Sequence, residues 1–169
     1  MNKNWTLFEK IISGFQIIFG IATISFLLWS LNSRITTIFE LSDYTWNDIS
    51  YRKLIKNHYF FTSLGTLSVV SGILLLKSKK VGWILSVSNW LLYGLGILIN
   101  SINRYYSNES IIESNSDYII IGIAIISFLI LALCLTLKPF RTKYKPNLKS
   151  WFKIGIITLI LITAKLLIK

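Results

Sequence analysis

The stretch "LLLKSKKVGW", residues 74–83, leaves one apolar run, passes Lys77, Lys79 and Lys80, and enters a second apolar run with no further break. Helices joined by so short a polar connection pack as antiparallel neighbours. The lysines are therefore read as the tip of a helical hairpin and as an orientation signal, not as a site. The layout of the rest of the chain follows from that reading.

The 169 residues are 53% hydrophobic with a mean hydropathy of +0.61, and 15% are charged. A soluble domain carries about a quarter charged residues. This composition belongs to a membrane protein, and the charges are bunched between long uncharged runs. The single cysteine, Cys134, excludes an internal disulfide or a C-x-x-C redox pair, and the single histidine, His58, excludes a His-rich metal site within one chain. The formal charge of +11 would point to nucleic acid in a soluble protein. Here its distribution points to the bilayer instead, and neither a nucleic-acid partner nor a cofactor is expected. After "MNKNWTLFEK" the apolar run is 21 residues long with no small-x-small cleavage site behind it, so it is read as a retained span.

About 20 helical residues cross a hydrocarbon core about 30 Å thick. Residues 11–31, 59–76, 81–100 and 118–137 reach or approach that length without a charge. Residues 151–168 form a fifth candidate, with Lys153, Lys165 and Lys169 near its ends, where lysines snorkel to the interface. An in-plane helix is the rival for this segment, leaving four spans, but "IGIITLILITA" has no polar face. Continuous apolar runs also exclude the alternating pattern of a membrane barrel. The expectation is an all-α polytopic bundle of five transmembrane helices, one integral domain over residues 1–169.

Placing the N-terminus inside puts eleven Lys/Arg and one acid, Glu9, on the inner side, against seven Lys/Arg and six acids outside. The Lys/Arg bias of the short loops assigns "KSKK" and "KPFRTKYKPNLK" to the cytoplasm and the C-terminus to the outside, in a multi-pass inner-membrane protein. Pro139 stops the fourth helix, and Asn147 or Ser150 caps the fifth. Trp5, Trp83, Trp151, Tyr59 and Tyr118 fall at span ends, where amphipathic rings favour the headgroup level. In "RITTIFEL", Ile35, Ile38 and Phe39 keep helical spacing, so the first helix continues past the membrane or bends along its surface.

The most ordered polar pattern lies in the third span. Gly82, Ser86, Asn89, Tyr93, Gly96, Asn100 and Asn103 are spaced 4, 3, 4, 3, 4, 3 and so share one helix stripe. Small and polar residues in lipid let backbones approach and hydrogen-bond across a contact, so packing within the bundle or a dimer is the leading reading, with a polar path for a substrate as the alternative. Ser68 and Gly72 of the second span, with Gly65 nearby, supply a mate for that stripe, and Gln16 of the first span joins the same network in one arrangement. No Asp, Glu, Arg or His falls near the centre of a span, which argues against proton relays and ion-coupled transport. No H-E-x-x-H or G-x-S-x-G motif is present.

Glu109, Glu113 and Asp117, spaced i, i+4, i+8, would share a face of a helix and suit a hard divalent cation, with Glu40, Asp43 or Asp48 as further ligands. Acids in an outer loop or at a helix N-terminus explain them as well. Asn108-Glu109-Ser110 is a formal glycosylation sequon. Lys77, Lys79, Lys80, Arg141, Lys143 and Lys145 are assigned to anionic lipid headgroups on the cytoplasmic side. The function expected is a non-enzymatic subunit, accessory or assembly factor with a membrane-protein partner or a second copy of itself. The alternative is a small transporter or channel built on the polar stripe.

Overall fold

The computed structural model of the protein describes residues 3–41, 51–106 and 115–167. Among these residues all regular structure is helical: α1 (Lys3–Leu41), α2 (Tyr51–Leu76), α3 (Lys80–Tyr106), α4 (Asn115–Leu135), α5 (Lys138–Tyr144) and α6 (Leu148–Leu167). Every helix but the short α5 is long and apolar enough to cross a membrane.

The hairpin read from residues 74–83 is present and closes in a single turn. Ser78 takes a left-handed conformation (φ 53°), its N–H bonds to the Leu75 carbonyl at 2.8 Å, and the Lys79 N–H reaches the Leu74 carbonyl at 3.0 Å. This is the Schellman termination of a helix, here with serine where glycine is usual. Gly82 lets α3 start directly against α2, because a Cβ there would collide with the backbone of Leu74 and Leu75.

Contacts at matching depths fix the directions. Gly82 meets Leu74, Asn89 meets Ser68 and Gly96 meets Phe60, so α2 runs antiparallel to α3. Trp83 meets Trp151 and Gly96 meets Lys165, so α6 runs parallel to α3 over about 20 Å. A helix that follows α3 for that distance lies along the bundle and not across it. α3 is the axis: it packs against α2, α4 and α6, while α1 leans mainly on α2.

α1 is 39 residues, about 58 Å, and runs unbroken to Leu41, choosing continuation over a bend in "RITTIFEL". The basic segment after α4, expected to be a loop, contains α5. Its first turn holds Pro139, and it ends at Lys145 in a left-handed conformation (φ 43°). Asn147 caps α6, its Oδ1 accepting from the Ser150 N–H at 3.0 Å and the Ser150 hydroxyl at 2.8 Å.

One assignment is corrected. Trp83 is not an interfacial ring: it is 0% exposed, donates its indole N–H to the Leu135 carbonyl at 2.7 Å, and meets Tyr144 and Trp151. The open carbonyls at the end of α4 give the buried indole its acceptor, so the ring seals the joint of α3, α4, α5 and α6.

Candidate functional site

The stripe of α3 turns inward. Ser86, Asn89, Tyr93 and Gly96 are buried, whereas Asn100 is half-buried farther along. Asn89 donates from Nδ2 to the Ser68 hydroxyl at 2.6 Å. Ser71, one turn on, donates to the Ser68 carbonyl at 3.2 Å and accepts from Gln16 Nε2 at 2.5 Å. Gln16 and Asn89 therefore do share a network, through the serines of α2 and not directly. Tyr93 extends it to α1 by donating to Thr23 Oγ1 at 3.3 Å, and Thr23 donates to the Phe19 carbonyl at 2.8 Å. Gln16 Oε1, Asn89 Oδ1 and Ser86 Oγ in this seam are buried with no hydrogen-bond partner among the described residues.

The small residues of α2 do not all face α3 as their spacing suggested. Ser68 reaches Asn89, but a Cβ on Gly72 would stand 2.7 Å from Ile17 Cγ1 and 2.9 Å from the Ser13 carbonyl, both on α1. Gly65 likewise faces Ile24 and Gly20 of α1. The two glycines form the α1 contact, and the serine between them sits at the border: its Cβ lies against Gly20 of α1 while its hydroxyl accepts from Asn89 of α3. Beside the seam, Trp90, Tyr93, Phe15, Phe19 and Phe128 pack ring on ring and join α1, α3 and α4.

Gly96 has a different role from its stripe neighbours. Lys165 was expected to reach the interface, but its ammonium turns inward, donates to the Gly96 carbonyl at 2.9 Å, and lies 4.2 Å from the Phe60 ring centre and 5.2 Å from that of Phe61. A cation over aromatic faces is an attractive contact. A Cβ on Gly96 would stand 2.7 Å from Phe60, so glycine makes the room for this arrangement.

The second polar cluster was not foreseen. Glu9, 2% exposed, accepts from Lys143 Nζ at 2.6 Å and from the Tyr144 hydroxyl. Lys143 also donates to Ser78 Oγ at 2.8 Å, and Lys80 donates to the Lys145 carbonyl at 2.8 Å. The two left-handed turn residues, Ser78 and Lys145, are thus each held by a lysine from the opposite turn. Burial pushes the Tyr144 phenol well above its ordinary range, and the Glu9 carboxylate beside it adds to the rise. Of the six basic residues assigned to headgroups, Lys77, Lys79, Lys80, Arg141 and Lys145 are exposed, Lys80 while donating to the Lys145 carbonyl, and Lys143 is half-buried against Glu9. The sequence did carry a signal here, since Glu9 is the lone acid among the inner-side bases.

Among the described residues no three His, Cys, Asp or Glu side chains are grouped to hold a metal ion. Glu40 has no described side chain, and Asp43, Asp48, Glu109, Glu113 and the sequon at Asn108 lie outside the described residues. Cys134 is a half-buried free thiol on α4. No protein-family model, curated protein or solved structure matches the chain.

Proposed function

We propose that the chain is an integral membrane protein with its lysine-rich end in the cytoplasm, acting as a non-enzymatic subunit or assembly factor. One observation carries this reading. Ser86, Asn89, Tyr93 and Gly96 of the polar stripe are buried within the chain, while α4 and α6 pack on α3 and present otherwise apolar sides, including Ile119, Ile123, Ile126, Ile130 and Leu159. Such sides meet lipid or the helices of another membrane protein. The test is recovery of the tagged chain in mild detergent. A membrane-protein partner or a second copy is expected to come with it. Asn89→Leu is expected to lower stability by about 1 kcal/mol, the size of one hydrogen bond between helices in lipid, without releasing that partner.

A transporter or channel is the second reading, favoured by the unpartnered buried oxygens of Gln16, Asn89 and Ser86. Recovery of the chain alone, together with solute flux in liposomes that Asn89→Leu abolishes, would replace the first reading by the second.

A further inference from the structure

Lys149 and Lys153 stand one turn apart at the start of α6, both exposed. With Leu148, Phe152 and Ile156 they line a groove of about 480 Å³.

The polarity of the groove is sharply divided. Leu148 is 87% exposed and Phe152 70%, and with Ile156 they fall at i, i+4, i+8, so they form a continuous apolar stripe on the outer face of α6 beside the two lysines. The charged groups of the rim are lysines only, and the first turn of α6 contains no acid. Two like charges at i, i+4 repel, and cations near a helix N-terminus oppose the macrodipole. The helix end and both ammonium groups therefore add to one positive field, with nothing in the groove to offset it. Glu9, the acid buried at the clasped turns, is occupied by Lys143 and Tyr144.

We propose that this groove seats one anionic phospholipid, with its phosphate between Lys149 and Lys153 and an acyl chain starting along Phe152 and Ile156. Residues four apart on a helix have Cβ atoms about 5–6 Å apart, so two flexible lysines can flank a single phosphodiester. An apolar stripe running away from two cations at the start of the helix matches the order of groups in such a lipid. The proposal rests on the membrane reading above, and it adds a single seat to the general attraction of basic loops for anionic headgroups.

The test is native mass spectrometry of the full chain released from mixed micelles of phosphatidylglycerol and phosphatidylcholine. Retention of one phosphatidylglycerol is expected, weakened about fivefold by Lys149→Gln or Lys153→Gln and at least tenfold by both, from about 1 kcal/mol per cation near a headgroup. The control is Lys3→Gln with Lys10→Gln, an equal loss of charge on the exposed start of α1, which is expected to leave retention unchanged. Equal losses in the two double variants, or equal retention of phosphatidylcholine, would overturn the seat. Because all four lysines are exposed, unaltered melting temperatures are expected and separate a lost seat from a lost fold. Recovery of the chain in aqueous buffer without detergent would instead refute the membrane reading beneath it.

Discussion

Glu9 and Tyr144 define what one buried carboxylate requires of its surroundings. Both carboxylate oxygens have donors, one from the Lys143 ammonium and one from the Tyr144 hydroxyl. An unpaired charge at 2% exposure would be costly, so the three side chains stand or fall together. Tyr144→Phe is expected to cost about 2 kcal/mol at neutral pH, because it removes a hydrogen bond to a charged acceptor. The same substitution should matter less in alkali. Below its usual value near 10 the phenol is neutral in the folded and unfolded chains alike, and its contribution is complete. Above that value the unfolded chain ionises while the folded chain holds its proton, so the contribution is lost as pH rises. Melting curves of wild type and Tyr144→Phe should therefore converge between pH 9 and about 11. A gap that stays constant would mean that the phenol is not held neutral by burial against Glu9.

At the scale of elements, the α1·α2 contact depends on absent side chains. Gly20 and Gly65 meet backbone to backbone, and Gly72 lies on Ser13 and Ile17. Gly72→Ala is expected to destabilise by about 1–3 kcal/mol, the usual range for overpacking, since the Ser13 carbonyl cannot move without α1. Gly14, Gly122 and Gly155 have nothing within 4 Å of an added Cβ, so the same change there should be neutral or gain about 0.5–1 kcal/mol from helix propensity. A thermal-stability series in detergent separates the two groups. If Gly72→Ala behaves like Gly122→Ala, the close approach of α1 and α2 is wrong. The same comparison shows what the sequence could convey. Apolar length placed every long helix, and the 4, 3 spacing in α3 marked the stripe that is buried. Spacing alone did not say which neighbour each small residue of α2 would face, because residues 65, 68 and 72 lie close on the helix circumference and the packing of three helices divides them. Nor did it foresee Trp83 as a joint or Glu9 as an anchor. Those roles depend on α5, a short helix inside a segment whose charges and prolines resemble a loop.

For the whole molecule, direction follows from the alternation of helices about α3. α1, α3 and α6 run one way, and α2 and α4 run the other. The two turns that clasp each other, around Ser78 and Lys145, lie at one end with Glu9. In the membrane reading proposed above, every exposed lysine of those turns would face the same side of a bilayer, and the Lys/Arg bias of short loops would make that side the cytoplasm. Five crossings would then send the two ends of the chain to opposite sides. A reporter fused after residue 169 is expected outside, and a single cysteine at Lys79→Cys, in a Cys134→Ser background, should react with an impermeant thiol reagent only after the membrane is opened. Both results together support five crossings. A cytoplasmic reporter with a cytoplasmic Lys79→Cys would mean that α6 does not cross, and would conflict with its parallel run beside α3 from Trp151 to Lys165. An outside Lys79→Cys with a cytoplasmic reporter would keep the bundle and invert it. The inverted molecule would set its clasped lysines against the outer leaflet, which the positive-inside bias disfavours.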